Sequence, residues 1–194
     1  MRESELTGRE QIRSAYVAKA KIEVEEADAL IAAPPGSWEG PLVGTRIVFA
    51  VGSPAEGGVL DERVGDAVAK VADALGVAGA VFALSTRPAT GVDPDAAVRR
   101  VRLLIEALDP PAVIALDPVA AEDLASAFDV QTLREDGPVR AFGRALGNAG
   151  DFAAALDDPQ AKARAWSSMK GVAALAGLEP KGRLTTPPDM KAKE

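Results

Sequence analysis

Cysteine and histidine are both absent from the chain, and aromatic residues make up only 4% of its 194 residues. Without cysteine it can form no disulfide, zinc–thiolate site, iron–sulfur cluster or thiol nucleophile. Without histidine it has no imidazole for acid–base catalysis, for a Ser-His-Asp triad or for a metal site. We therefore predict a protein with no cofactor and no tightly held transition metal, with oxygen-only sites for Mg²⁺ or Ca²⁺ left open.

Long hydrophobic runs are missing too, since no apolar stretch approaches the roughly 20 residues that cross a bilayer. The first 15 residues are charged and lack the apolar core of a signal peptide. These features predict a cytoplasmic protein without a membrane partner. The 22 basic residues are outnumbered by 29 acidic ones, which gives a formal net charge of −7. Binding to nucleic acid would therefore depend on a local basic patch.

Short apolar runs alternate along the chain with stretches of helical periodicity. Such an alternation is typical of a parallel sheet with helices on both faces, a three-layer α/β/α architecture. A fourth, weaker strand is predicted within 139–146, with a bend at Gly143. The three clear strands are predicted at 46–52, 79–85 and 112–117, the helices at 59–76, 94–108, 117–128 and 158–176, and the core at Val48, Phe49, Val81, Phe82, Ile114 and Leu116.

The chain divides by composition into three parts. Residues 1–44 are predicted to contain a helix over 9–33 and a turn-rich connector, in which Trp38 covers the core. Residues 45–177 form the α/β domain. Residues 178–194 are rich in proline and lysine with little apolar content, which predicts a disordered tail.

Ligands of an open parallel sheet bind outside the carboxyl ends of its strands. The loop at 52–58 meets this rule and carries three glycines. It matches neither the dinucleotide-binding fingerprint nor the P-loop, because the glycine spacing of the first and the Gly-Lys-Ser/Thr of the second are absent. A tight turn accounts for these glycines better than a phosphate site does.

The order of segments over about 45–172 resembles the uracil-DNA glycosylase superfamily, in particular its iron–sulfur-containing branch (family 4 and relatives). Five segments carry the resemblance, each at the place where that branch has a motif. They are Phe49–Ala55 at the first strand end, Leu60–Val77 in the next helix, Thr86-Arg87-Pro88-Ala89 after the second strand, Pro111–Asp117 with Ala120-Ala121, and Asp158-Pro159-Gln160-Ala161-Lys162 followed by Trp166–Lys170.

The resemblance implies a four-stranded, mainly parallel sheet in the order 2-1-3-4. It also shows which functional groups have been replaced. Ser53 stands where the family has the carboxylate that orients water, and Asp151 where it has the histidine that stabilises the departing uracil. Leu60 replaces the aromatic residue that stacks on the base, and Ser85 replaces the asparagine that reads its edge. All four cluster cysteines are missing.

These replacements favour a degenerate glycosylase-like protein, linked to DNA repair, that binds a partner or ligand without catalysis. An aspartate at 151 would repel the anion that the family's histidine stabilises. The first alternative is an active DNA N-glycosylase that has moved its chemistry, with Glu56, Asp61 or Asp151 as the water-positioning carboxylate. The second alternative is an unrelated α/β domain that binds a small ligand.

The partners that the resemblance implies are DNA, bound weakly, or another protein. In the family, the DNA backbone contacts the side of the molecule on which several arginines of this chain are expected to lie. The alternative is scattered, solubilising charge, and no aromatic residues accompany the arginines as a stacking platform. The candidate DNA contacts are Arg87, Arg99, Arg100, Arg102 and Arg144.

Overall fold

A computed structural model describes residues 8–178, and the predicted tail lies almost wholly outside that range. The described chain begins with a helix and then alternates strands and helices. Its helices are α1 (Gly8–Ala29), α2 (Glu62–Ala74), α3 (Pro94–Leu108), α4 (Pro118–Ala127), α5 (Phe152–Ala155) and α6 (Pro159–Leu175). Its strands are β1 (Trp38–Glu39), β2 (Ile47–Val51), β3 (Val81–Ser85), β4 (Ala112–Ala115), β5 (Val139–Ala141) and β6 (Arg144–Asn148).

The predicted α/β class is confirmed, but the prediction of a four-stranded sheet is wrong. One mixed sheet of six strands runs in the order β1-β3-β2-β4-β6-β5. The four central strands are parallel to one another, and each edge strand is antiparallel to the central strand beside it. The edge strands are only two and three residues long. The two residues of β1 carry no strand periodicity and were not predicted, whereas β5 lies within the strand predicted at 139–146.

The alternating side chains of the central strands bury two separate apolar layers. Ile47 and Phe49 of β2 face α2, α5 and α6 on one side of the sheet. Val48 and Ala50 face α3 and α4 on the other. Both faces are covered, as expected for parallel strands joined by crossover helices. Of the six predicted core residues, only Val81 is partly exposed.

The weak strand predicted at 139–146 is a tight hairpin. Phe142 and Gly143 both have positive φ, 48° and 83°, and connect β5 directly to β6. Two consecutive positive φ angles are typical of the two-residue turns that match strand twist. The chain therefore reverses at Gly143 and does not bend. On the next strand, Gly147 lets α6 approach closely, because an added Cβ would lie 2.1 Å from Val172 Cγ2.

Helix α1 packs along α3 outside the sheet. Val24 and Ala27 form a small apolar cluster with Leu104 of α3. Trp38 covers the core as predicted, since its ring stacks on Phe82 with centroids 5.4 Å apart. None of the helices within 8–178 has the length and apolar character needed to cross a membrane.

Replacing Phe82 by alanine tests the buried sheet face. The ring is fully buried and stacked on Trp38, so Phe82→Ala should lower the free energy of unfolding by about 3–5 kcal/mol. Urea unfolding followed by circular dichroism measures the loss. The matched control is Phe142→Ala, whose ring is 55% exposed and which should cost under about 1 kcal/mol. Similar losses in the two variants would contradict this packing.

Candidate functional site

A cleft of about 180 Å³ lies at the carboxyl ends of the parallel strands, where ligands of such sheets bind. It brings together four of the predicted site residues, Ser53, Leu60, Asp61 and Asp151. They come from the loop after β2, from the start of α2 and from the loop after β6. The rest of the wall is Asp117 and the apolar or small residues Val51, Pro54, Ala55, Val59, Val64, Leu116 and Ala153.

The backbone amide and carbonyl of Gly52, directly after β2, anchor the chain segments next to the cleft. The Gly52 amide donates to Asp117 Oδ2 at 2.6 Å. Its carbonyl accepts from the Arg87 amide at 2.7 Å and from Ser85 Oγ at 3.0 Å. No larger residue fits, because an added Cβ would lie 2.7 Å from Val119 Cβ. This close approach, and not a phosphate, accounts for the glycine at 52.

Each of the three carboxylates in the cleft caps a helix. Asp61 Oδ1 accepts from the Val64 amide at 2.9 Å at the start of α2. Asp117 Oδ1 accepts from the Ala120 amide at 2.8 Å at the start of α4. Asp151 Oδ1 accepts from the Ala154 amide at 3.1 Å, beginning the single turn of α5. These bonds satisfy amides that a helix leaves without partners, so each carboxylate has a structural role.

Two of the predicted site residues lie outside the cleft. Ser85 is fully buried and its hydroxyl donates to the Gly52 carbonyl, so it does not reach a base in the cleft. Glu56 is exposed on the loop after β2 and is not part of the cleft wall. Ser53 and Asp151 are both exposed at its mouth.

Arg87, predicted to contact DNA, forms an ion pair inside the protein. Its guanidinium donates twice to Asp123, from Nε at 3.0 Å and from Nη2 at 2.7 Å. The hydrogen bonds to Asp123 raise the pKa of Arg87, which is charged throughout the ordinary pH range. Asp123 is 2% exposed and also accepts from Thr86 Oγ1 at 2.6 Å. Arg87 therefore anchors the loop after β3 to α4.

The prediction that Arg100 contacts DNA is wrong, because its side chain is fully buried between α1 and the sheet. Nε donates to Asp28 Oδ1 at 2.8 Å, and Nη1 donates to the Ser85 carbonyl at 2.7 Å. Asp28 also accepts from Trp38 Nε1 at 2.9 Å. Burial lowers the pKa of Arg100, and the charge of Asp28 opposes that shift.

The other three candidate DNA contacts do not form one surface with the cleft. Arg144 is 7% exposed and begins β6, at the opposite end of the strand from Asn148 and the cleft. Arg102 bonds to Glu106 and lies over the Phe142 ring, 3.9 Å from its centroid. Arg99 is exposed, and within 8–178 it has no assigned hydrogen bond or ion pair.

Sequence reasoning overlooked the residues that fix the loops around the cleft. Asp117-Pro118 is a local signal for the start of a helix, which indicates the capping role of Asp117 but not its bond to Gly52. Asn148 accepts from the Gly150 amide at 2.8 Å and donates to the Leu133 carbonyl at 2.9 Å, which positions the loop carrying Asp151. The sequence signal for Asp123 is the presence of a carboxylate within an alanine-rich, apolar helix.

Most of the polar side chains that line the cleft are hydrogen-bond acceptors. Three carboxylates line it, and the hydroxyl of Ser53 is its only side-chain donor. Neither lysine nor arginine lies in the wall. In the described part of the chain, no three carboxylates lie close enough together to hold a metal ion. The cleft therefore favours a ligand group that donates hydrogen bonds, and its carboxylates disfavour an anionic ligand.

The chain matches no model of a known protein family, and no curated protein is similar to it at a significant level.

Replacing Arg100 by alanine tests its structural role against that of its exposed neighbour. Arg100→Ala removes the cation beside Asp28 and the donor to Ser85, so the free energy of unfolding should fall by about 3–5 kcal/mol. Arg99→Ala is the matched control and should change stability by about 0.5 kcal/mol or less. Urea denaturation of both variants gives the comparison. A loss in Arg100→Ala as small as that in Arg99→Ala would show that the buried pair is dispensable.

Proposed function

We propose that this chain is a non-catalytic, uracil-DNA glycosylase-like domain whose strand-end cleft binds a small group without cleaving a glycosidic bond. The segment resemblance supports the family part of the proposal. The four central strands support it further, because β3, β2, β4 and β6 follow each other in the 2-1-3-4 order that the resemblance implies.

The lack of a side chain in the cleft that could stabilise a departing anion is the observation that carries the proposal. Release of uracil requires a positioned water, a pocket for the base and a donor for the departing anion. The cleft wall contains no cationic or amide side chain that could supply that donor. Asp151, at the position of the family's histidine, is an acceptor that caps α5. Its negative charge would oppose the developing anion.

The ligand class follows from the charge and size of the cleft. Its volume of about 180 Å³ lies below the roughly 300 Å³ at which pockets for drug-sized ligands begin. A single flat ring or a small amine fits this size. Because the polar wall consists mainly of carboxylates, a ring that carries an amino group is favoured over one that carries only carbonyl oxygens.

DNA binding enters the proposal only as a weak, non-specific property. The net charge is −7, Arg87 is paired with Asp123, and Arg100 is buried. Few of the candidate contacts are therefore free to neutralise phosphate, and any affinity for DNA falls steeply with added salt.

The alternative of relocated chemistry has one specific observation in its favour. Asp151 and Asp61 both line the cleft beside Ser53, so a carboxylate is available near the position of the family's water-orienting group. For Asp151 to assist the leaving group it would have to be protonated and donate a hydrogen bond. This alternative therefore confines activity to acidic pH.

We expect no uracil release from single- or double-stranded DNA containing deoxyuridine at neutral pH. Loss of one anion-stabilising donor alone commonly reduces a rate by about 100- to 1000-fold, and several groups are changed here. Separation of cleaved products on denaturing gels after alkali treatment measures release.

The same assay on Asp151→Asn and Asp151→Ala separates the alternatives. If uracil is released at acidic pH and both substitutions abolish that release, the proposal is wrong and the chain is a glycosylase with a relocated carboxylate. Release at neutral pH that survives both would mean that catalysis lies outside this cleft.

Free cytosine and uracil serve as probes of the binding function. Cytosine carries an amino group where uracil has a carbonyl oxygen, so cytosine should cause the larger amide shifts in ¹H–¹⁵N spectra at Ser53, Leu60 and Ala153. The response should disappear in Leu60→Trp, in which the larger side chain fills the cleft. Equal shifts with both bases, or a response unchanged by Leu60→Trp, would contradict the assignment of the cleft.

A further inference from the structure

Helix α1 carries an unusual share of the apolar surface. Within residues 8–178, five of the eight exposed large hydrophobic residues lie in this helix or directly after it: Ile12, Tyr16, Val17, Ile22 and Leu30. Ile12 and Tyr16 are the most exposed of them, at 60% and 62%. Large apolar side chains gathered on one element mark an interaction surface more often than scattered ones do.

The first half of α1 extends beyond the body of the protein. Val24 and Ala27 pack on Leu104 of α3, and Asp28 pairs with Arg100 near the other end of that helix. The two helices are therefore antiparallel, and α3 ends at Leu108. Every described side chain from 10 to 19 is exposed, because that part of α1 has no helix to pack against.

Two of these apolar residues, Ile12 and Tyr16, begin a stripe along one side of the helix. At 3.6 residues per turn, Ile12, Tyr16, Lys19 and Glu23 follow one another at spacings of three and four. Leu30 extends this stripe into the turn after the helix. Ile22 lies at the edge of this stripe, three residues after Lys19, whereas Ser14 points to the opposite side of α1. The stripe is thus apolar at its two ends and charged at its middle.

We propose that this stripe binds the same stripe of a second copy of the chain, with the two α1 helices antiparallel about a two-fold axis. In the register centred on residue 21, Lys19 faces Glu23 of the partner subunit, and Glu23 faces the partner's Lys19. Ile12 then meets the partner's Leu30. A two-fold interface must be complementary to itself in this way.

The charge of α1 favours the antiparallel arrangement. Residues 8–19 contain three basic residues and one acidic residue, whereas residues 20–29 contain one basic and four acidic. The two halves therefore carry formal charges of +2 and −3. Antiparallel pairing brings each half against the opposite charge, and parallel pairing would bring like charges together.

A groove beside the stripe provides additional contact area. Tyr16, Lys19 and Glu23 line it on the α1 side, and its volume is about 420 Å³. Its other walls are 42–45 and the end of α3 at 106–109. The helix itself is about 33 Å long and about 10 Å wide, so its face alone covers roughly half of the ~800 Å² per partner of a standard interface. The dimer should therefore dissociate on dilution.

Sedimentation equilibrium of the full chain over a range of concentrations tests the proposal. The wild type should show a reversible monomer–dimer equilibrium, and Tyr16→Glu should raise its dissociation constant by about tenfold or more. The matched control is Ser14→Glu on the opposite side of α1, which should leave the dissociation constant unchanged. Tyr16 and Ser14 are both exposed, so both substitutions preserve folding. A monomer at every concentration, or equal effects of the two substitutions, would overturn the proposal.

Charge reversal and spin labelling test the register. Lys19→Glu should weaken the dimer, and combining it with Glu23→Lys should restore the affinity. Because the chain has no cysteine, single labels can be placed at Ile22→Cys and Gln11→Cys, which lie along the same edge of the stripe. The antiparallel register puts the two labels at 22 close together and offsets those at 11 by about 30 Å along the helices. Short distances at both positions, or no rescue by the double charge reversal, would overturn the antiparallel pairing.

Discussion

The backbone amide and carbonyl of Gly52 hold the ends of three neighbouring strands together. Its amide is bound by the carboxylate at the start of α4, and its carbonyl by the chain that leaves β3. All three bonds lie within the sheet edge where β2, β3 and β4 end. Ser53 directly follows Gly52 in the chain and Asp117 binds the Gly52 amide, so the positions of both residues depend on the backbone of Gly52. A side chain at 52 would separate α4 from the sheet.

The central strands could be predicted because they are buried on both faces and therefore appear as uninterrupted apolar runs. The helix starts at Asp117 and Asp158 were equally clear, since a capping carboxylate followed by proline is a local signal. Arg100 was not predictable from α3 alone. Arg100 was predicted as a DNA contact, but α1 covers that face of α3 and supplies Asp28, which is 72 residues away in sequence.

The candidate site was predicted only in part, for a similar reason. The resemblance, with its relocated-carboxylate alternative, named Ser53, Leu60, Asp61 and Asp151 as site residues, and these four side chains line one cleft at the strand ends. Whether a polar side chain in such a loop faces a ligand or the backbone depends on local hydrogen bonds that spacing does not specify. Ser85 turns inward to Gly52, and the three aspartates are bound by helix amides. The site's acidic character is thus a product of helix capping as much as of ligand recognition.

A continuous chain of polar contacts joins α1 to the cleft. Asp28 binds Arg100, Arg100 binds the Ser85 carbonyl, and the Ser85 hydroxyl binds the Gly52 carbonyl. Detaching α1 would leave a buried cation without its counterion directly behind the strand ends. The N-terminal helix is accordingly a part of the scaffold that keeps the cleft in shape. The outer face of α1 is therefore only three hydrogen bonds away from the loop that follows β2.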